Sequence, residues 1–584
     1  MARMTSIYIG VSGLQSSQTA LNTTTHNLAN VYTEGYTRQL SFTSDRKYNT
    51  YGHTAVNTMQ VGTGVSTSST SRVRDLLLDR QYRTESGRQG FYSAQYEAVN
   101  EIETIIGETE GIKYQDTLEN LWSAINEMSK TPDSIVSRSE LVMCAETFLD
   151  RSKAIYRELI DYQKNLNTKV QNTVDKINEL GDRINELNLK ISGVETGIEN
   201  ANDLRDKRDL LLDELSKYIK ISYSEDENHY VSVKVEGIPL VTEGGVFHME
   251  TKELDGDKSS TFLTCVWPQL AEQEVFNLNV KVDTAEKNDI GTLKGYLLAR
   301  GDYIANYRDI PEVEDYDTST PEGIKEYQAA VDFYNRNVEC CAVMKAQALF
   351  DKLVNGIVTT INDILSPTTS EVPDGVTVYT DKNGNNYNAS EVKILDMTTS
   401  TGDDGKMPPE ELFSREVTER YIEVTGNDGK TYYMYNELNT FGNKSYYSVP
   451  NLVMNQTILE DYSKLPFKTA EGDSDLKKGA DLVKEWNTDL MNLDPANMSK
   501  LDFKEFYGEF IYTIGNKGDL LESIAYNQQN TADQIQSTRV EIMGVSSEEE
   551  LSNMIKYQSA YNAASRYVTT IADMLEYIIE RLGA

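Results

Sequence analysis

The sequence predicts a multidomain α+β protein whose N- and C-terminal segments form a helical coiled-coil or bundle core, with β-rich domains inserted in the middle. Three observations carry this prediction. At 584 residues the chain is longer than the roughly 250 to 300 residues at which a single core stops growing, so it must divide into several domains. Near both ends, apolar residues recur at alternating spacings of three and four. Between them the period drops to two in short runs bounded by turn residues.

The first element is a helix. Ile7, Val11, Leu14, Gln18, Leu21, Thr25 and Leu28 share one face, and the pattern stops at Asn30 before the turn run Thr33-Glu34-Gly35-Tyr36. The face is half apolar and half hydroxyl or amide, and an isolated helix of this length is marginal in water, so it needs a partner helix. Residues 37–70, dense in Thr, Ser, Asn and Gly, read as loop and small strands such as Gln39-Leu40-Ser41-Phe42. Helical spacing returns near Arg72 and continues to about Tyr218, broken at Gly107–Gly111 and at Thr131-Pro132, after which Ser137 and Glu140 fit a capping box. Within this stretch Leu166, Val170, Thr173, Ile177, Leu180, Ile184, Leu187 and Ile191 predict a long seam for packing against another helix.

At Ile221 the period changes. His229 to Val235 leads through Glu236-Gly237 into Ile238-Pro239-Leu240-Val241, a hairpin, and further strands are expected at Thr261–Trp267 and Phe276–Val282. A helix is expected from about Asn335 to Ile364. Beyond Pro367, two strand-turn-strand patterns hinge on Lys382-Asn383-Gly384-Asn385 and Asn427-Asp428-Gly429-Lys430, where asparagine and glycine tolerate positive φ. The last 130 or so residues return to helix. In the final one, after Ser546 or Ser547 as cap, the face carries Met554, Tyr557, Tyr561, Ala564, Val568, Ile571, Leu575, Ile578 and Leu582. It has no local partner in sequence, so the economical fold pairs the first helix with the last. The segments are then 1–70 (N-terminal part of the inner helical assembly domain and loop), 71–220 (long-helix bundle), 221–330 (β-rich insertion) and 331–365 (helix returning to the bundle). After these come 366–450 (variable β-rich outer insertion), 451–545 (C-terminal part of the bundle) and 546–584 (C-terminal part of the assembly domain).

Composition narrows the function. A formal net charge of −36 repels phosphate backbones and anionic membranes, so neither nucleic acid nor membrane is an expected partner. Residues 1–83 oppose this trend with eight Lys/Arg against four Asp/Glu, marking the N-terminal stretch as a separate entity. No run of 18 apolar residues occurs, and the N-terminus lacks the apolar region and cleavage site of a Sec signal peptide. Cys144, Cys265 and the adjacent Cys340 and Cys341 have no Cys-x-x-Cys spacing and read as ordinary thiols. His26, His53, His229 and His248 form no zinc or protease motif, and no phosphate-binding or nucleophile-elbow motif occurs, so the expectation is no enzyme, no cofactor and no metal. Asp381-Lys382-Asn383-Gly384-Asn385 has its glycine at the wrong place for a calcium loop and reads as a turn.

The end motifs carry a resemblance. Asn27 to Gln39, with Asn27, Asn30, Gly35, Tyr36 and Arg38 as its distinctive positions and Gly13-Leu14 and Ala20-Leu21 before it, resembles the N-terminal motif shared by flagellar rod, hook and hook-associated proteins. Gly62-Thr63-Gly64-Val65 with Arg72, Asp75, Gln81 and Arg83 extends the resemblance. Ala201 to Leu215, Gly291 to Arg300, Gly544 to Glu549 and Tyr557 to Ala564 are similar to stretches of the hook-associated protein 1 family. The resemblance covers about 1–300 and 450–584. It implies a structural protein of the bacterial flagellum, secreted by the flagellar type III apparatus and located at the junction of hook and filament. The implied partners are the hook protein, a second junction protein, further copies of itself in a ring, and an export chaperone on the C-terminal region. The assembly seam would be Ile7, Val11, Leu14, Leu21 and Leu28 with Tyr557, Tyr561, Ala564, Val568, Ile571, Leu575, Ile578 and Leu582. Its helices would fold as they assemble. A hook- or rod-type subunit shares the end motifs, and a surface adhesin on flagellar ends is the remaining alternative.

Overall fold

The computed structural model describes all residues except 1, 54–57, 108–112, 198, 255–260, 438–444, 497–498 and 583–584, and the side chains of 2–5, 51, 53, 58–59 and 582 also lie outside the description. Helix α1 (Ala2–Ala29) gives way to a tight corner in which Gly35 sits at φ +75°, a conformation that an L side chain rarely adopts. The chain then forms one long kinked hairpin. Strand β1 (Gln39–Asp45) pairs with β4 (Val65–Arg72), and between them β2 (Tyr48–His53) pairs with β3 (Thr58–Gly62). The hairpin runs back along α1. The Val65 N–H donates to Ser12 Oγ at 3.1 Å, and Gly64, at φ +106°, comes so close that a Cβ would overlap that hydroxyl.

The helical body begins with α2 (Leu76–Ile106), capped by Asp75, whose carboxylate accepts from the N–H groups of Leu77 and Leu78. The helix expected near Arg72 therefore starts four residues later, because β4 keeps Arg72. Then follow α3 (Tyr114–Lys130), α4 (Ile135–Glu195) and α5 (Asn202–Tyr218). Ser134 caps α4 by accepting from Ser137 N–H at 3.3 Å. Ser137 is thus a residue of the helix and the expected Ser137–Glu140 box does not form, because Ser134 is the first hydroxyl after the Pro132 turn.

Along α4 all eight seam positions are buried except Leu187, which is partly covered. The expected helix partner is α5, and a sheet shares the seam with it. Val170 to Ile184 pack on α5 and on sheet, not on a second long helix: their core includes Leu211, Leu212, Leu215, Val231, Val233, Val235, Leu240, Val241 and Trp267. The sheet is β5 (Ile221–Glu225), β6 (Val231–Val235), β7 (Ile238–Thr242) and β8 (Gly245–Val246), antiparallel in chain order. Beside it, β9 (Glu250–Glu253), β10 (Leu263–Trp267) and β11 (Gln273–Glu274) pair in the order β11-β10-β9. No strand covers Phe276–Val282. Both neighbours of β10 are already taken by β9 and β11, so the alternating residues there run as turns, with Phe276 buried and Val280 half exposed.

Helix α6 (Thr292–Arg300) returns to α2. The helix expected from Asn335 to Ile364 is two, α7 (Pro321–Asn337) and α8 (Ala342–Leu365). At the turn between them both Val338 and Glu339 N–H groups donate to Tyr334 O, and Cys341 is extended. The break brings Tyr334, Val338 and Met344 into one core.

The outer insertion is a six-stranded sheet in the order β12-β15-β18-β17-β13-β14, made of β12 (Thr368–Thr369), β13 (Val378–Asp381), β14 (Asn386–Asn388), β15 (Ile394–Leu395), β17 (Tyr421–Gly426) and β18 (Thr431–Tyr435). The two Asn/Gly turns close β13–β14 and β17–β18. A separate pair, β16 (Phe413–Arg415) with β19 (Leu452–Met454), joins the main helical core. The chain then forms α9 (Gln456–Glu460), α10 (Leu476–Trp486), α11 (Phe503–Met543) and α12 (Ser547–Leu582). Phe503, Phe506 and Phe510 anchor α11 in the main core, after which it lies along α2.

Candidate assembly site at the paired chain ends

Helices α1 and α12 pack on each other antiparallel. Gly10 meets Val568 and Tyr567, Gly13 lies 3.8 Å from the Ala564 methyl, and Asn27 at the other end of α1 comes next to Glu550. On α12, Met554, Tyr557, Tyr561, Ala564, Val568, Ile571, Leu575 and Ile578 are half-buried; from Leu551 to Arg581 all others but Asn553 and Ser565 are exposed. Leu582 has its side chain outside the described residues. On α1, Ile7, Val11, Leu14, Leu21 and Leu28 are half-buried, while Gln18 and Thr25, assigned to the same face, are exposed. The fully covered positions of α1 among the described residues are Gly10 and a different stripe of small residues, Ser12, Ser16, Ala20, Thr24 and Asn27. Local spacing of apolar residues could not find that stripe because its members are mostly polar.

A two-helix pair cannot cover every apolar residue it carries. Tyr8 is 65 % exposed, Ile555 64 % and Ile579 70 %, and Met574 and Tyr577 stand more than half in solvent. Large apolar side chains gathered in this way mark a surface built for a further partner.

The corner at the end of α1 is held by one amide. Asn27 Nδ2 donates to Gln39 O at 2.9 Å, and Asn27 Oδ1 accepts from Gln39 N–H at 3.0 Å and from the Tyr36 hydroxyl at 2.8 Å. Tyr36 also meets His26 Nδ1 at 3.0 Å, and Asn30 Nδ2 donates to His26 O at 3.0 Å. Gly35 lies against Leu210 of α5, Arg38 N–H donates to Met543 O at 2.8 Å, and the Arg38 guanidinium reaches Glu549 at 2.5 Å. The five motif positions thus surround a single corner where α1, α5, α11 and α12 meet.

Beneath that corner lies a buried ion-pair joint. Arg72 contacts Asp206 at 2.8 Å and Asp209 at 2.6 Å, Arg74 contacts Asp79 at 2.7 Å, and Arg83 contacts Asp213 at 2.6 Å and Asp209 at 3.3 Å. Arg539 of α11 closes the set with Asp79 at 2.8 Å and Asp213 at 2.7 Å. Thr37 adds its N–H and hydroxyl to Asp206 at 2.9 and 2.6 Å. Four guanidinium groups balance four carboxylates, so burying them leaves no unpaired charge. Burial alone would raise the Asp209 carboxyl, but Arg74, Arg72, Arg83 and Arg208 outweigh it and hold it well below the usual carboxylate range. The joint ties the hairpin base, α2, α5 and α11 together directly under the terminal helix pair. Such a balanced set holds position; it offers no free base or nucleophile.

Three family models match the chain: the flagellar hook-associated protein FlgK helical domain over residues 99–310, the flagellar basal body rod FlgEFG protein C-terminal segment over 536–581, and the flagella basal body rod protein over 7–37. Relatives align end to end. A flagellar hook-associated protein 1 of Bacillus subtilis is 24% identical over 99% of both chains. Those of Escherichia coli and Salmonella typhimurium are 24% and 23% identical, each over 97% of this chain and 98% of the relative. The chain belongs to the flagellar hook-associated protein 1 family. A solved structure described as the flagellar hook junction protein FlgK from Burkholderia pseudomallei is also similar, with a TM-score of 0.49 and 13% identity over 78% of this chain and 99% of the other. As a member of the hook-associated protein 1 family the chain is a structural protein of the flagellum and not an enzyme. The models for its two ends cover α1 with the corner and most of α12 with the end of α11, the elements that meet in the structure.

Of the other histidines described, His248 pairs with Asp182 at 3.0 Å, and His229 lies near Glu195 and Glu225. His53 has its side chain outside the described residues. Sequence reasoning singled out Arg72, Arg83, Asp206, Asp209 and Asp213 within family-like runs but did not foresee that they pair, and it missed Arg74, Asp79 and Arg539 altogether.

Proposed function

We propose that this hook-associated protein is the adaptor between hook and filament, joining its neighbours through the α1/α12 pair. The observation that carries the reading is the unequal burial of that pair: one seam half-covered, and large apolar side chains of the same two helices left in solvent. In a helical assembly, neighbouring copies and adjoining axial proteins supply the missing cover. The seam residues from Ile7 to Leu28 and from Tyr557 to Leu582 are assigned this role, and the Asn27 corner with the ion-pair joint transmits position from the assembled ends to the body. Segments 1–70 and 546–584 then make the inner assembly domain, 71–220, 331–365 and 451–545 the helical body, and 221–330 and 366–450 the outward insertions. The partners are the hook protein on one side, a second junction protein on the other, and further copies closing a ring. Before assembly the subunit passes through the flagellar type III exporter to the outside of the cell. A chaperone covers its C-terminal region, and the terminal helices complete their folding on assembly. A rod- or hook-type reading accounts for the two ends but not for the helical-domain match over 99–310.

The test is limited proteolysis with mass readout on the purified subunit, alone and mixed with hook protein. Trimming of both ends back to the corner, with protection on mixing, is the expected result. Resistant ends and no association with hook protein, or association unaffected by Ile571→Asp in the seam, would overturn it.

A further inference from the structure

Cys340 and Cys341 stand side by side in the turn between α7 and α8, with their Sγ atoms 3.8 Å apart. They differ in surroundings. Cys340 is exposed and its thiol points back to Arg336 O at 2.8 Å, whereas Cys341 is buried in the main core as the cap residue of α8. Cations flank the turn: Lys345 reaches Glu339 Oε1 at 2.6 Å and Lys517 reaches Glu339 O at 3.3 Å. The first turn of α8 adds its free N–H groups and positive dipole end. Both influences favour a thiolate at this place.

We propose that Cys340–Cys341 is a reversible redox site that a hydroperoxide closes into a bond between adjacent residues. The Cys340 thiolate attacks the peroxide: an S–O bond forms, the O–O bond breaks, and two electrons from sulfur reduce the other oxygen to an alcohol, or to water from hydrogen peroxide. The Cys341 sulfur then attacks the Cys340 sulfenic sulfur, the S–S bond forms as the S–O bond breaks, and the hydroxyl leaves with the Cys341 thiol proton as water. Two thiols and one hydroperoxide thus give one disulfide, one alcohol and one water. The contact with the Cys341 thiol and, against burial, the Lys517 ammonium hold the Cys340 thiol below the usual cysteine range. The same contact and burial push Cys341 up, which assigns the first attack to the exposed member. Cα atoms of adjacent residues lie about 3.8 Å apart, short of the roughly 4.4 to 6.8 Å at which disulfides are relaxed. The closed ring is therefore strained and readily reopened by a thiol reductant.

The experiment uses the full chain treated with dilute hydrogen peroxide, labelled with maleimide before and after reduction, and read as peptides by mass spectrometry. The expected result is loss of two hydrogens from the peptide holding Cys340 and Cys341 and loss of maleimide labelling at Cys340, both reversed by a reductant, with Cys144 still a thiol. In Cys341→Ser, whose folding is checked by circular dichroism, Cys340 should accumulate as sulfenic acid or pass to sulfinic acid. In Cys340→Ser, Cys341 should stay reduced. Sulfinic acid or an intermolecular disulfide at Cys340 in the wild type, with Cys341 still a thiol, would overturn the proposal. So would oxidation of Cys341 in Cys340→Ser.

Discussion

Replacing Asn27 by Ala should release the corner without melting the body. Asn27 is 1% exposed and supplies both polar partners of the Gln39 backbone, at 2.9 and 3.0 Å, as well as an acceptor for Tyr36 at 2.8 Å. The Tyr36 hydroxyl keeps His26 as an alternative, so the cost falls on two backbone groups. A buried donor or acceptor left without its partner costs about 1–3 kcal/mol, and the two together should cost the corner about 2–6 kcal/mol. Since 1.4 kcal/mol is about tenfold in an equilibrium constant, hydrogen exchange at Gln39 should speed up by about 30-fold at the least and up to about 20,000-fold. Thr37, which depends on the same corner to reach Asp206, should follow, while α3 and α8 exchange as before. Asn27→Asp keeps the acceptor but loses the donor and places a negative charge near Glu550, so it should not restore protection. Unchanged exchange at Gln39 in Asn27→Ala, or an equal loss throughout the body, would refute the view of Asn27 as a local clamp.

The helix pair predicts opposite results at two neighbouring glycines. A Cβ at Gly10 would lie 2.7 Å from Val568 Cγ2 and 2.8 Å from Tyr567 Cδ1, so Gly10→Val should cost about 1–3 kcal/mol by overpacking and loosen α12 in hydrogen exchange; at Gly13 the nearest atom is 3.8 Å away, and Gly13→Ala should gain up to about 1 kcal/mol of helix propensity in a thermal melt. Asp209 is depressed, so its stabilising share is complete above the unfolded value near pH 4 and is lost as pH falls through the lower folded value. Asp209→Asn should weaken the protein at neutral pH and flatten the acid limb of its urea midpoint. Asp351 behaves the other way: burial pushes it up to about 7, although Val449 and Tyr307 N–H groups donate to it at 2.6 and 2.9 Å. Its folded form keeps a proton that the unfolded chain has released, so its contribution is complete below about pH 4 and is lost as pH rises through about 7. Asp351→Asn should therefore remove part of the fall in urea midpoint between about pH 5 and 8.

The ends of this chain were readable because α12 obeys one rule along its described length: the three-four seam faces α1, and nearly everything else, Ile555, Met574, Tyr577 and Ile579 included, faces solvent. Where burial rests on small or polar side chains the rule fails, as at Ser12, Ser16 and Thr24 of α1, whose covered stripe carries no apolar period. The α4 seam shows a different limit. Its spacing established which face is buried, but a flat sheet and a neighbouring helix ask for the same stripe, so β6, β7 and α5 could not be told from a second long helix. The ion-pair joint lies further out of reach. Read locally, Arg72, Arg74 and Arg83 or Asp206, Asp209 and Asp213 are ordinary charges on a hairpin end and on helices, and Arg539 is one cation near the end of α11. Arg72 meets Asp206 across 134 residues and Arg539 meets Asp213 across 326, separations at which no spacing rule operates. Their burial follows only from tertiary packing, in which the hairpin base, the start of α2 and the end of α11 come together on α5. The apolar seam is thus the feature that local spacing specifies, and the polar corner and joint are the features that fix how the seam is mounted on the body.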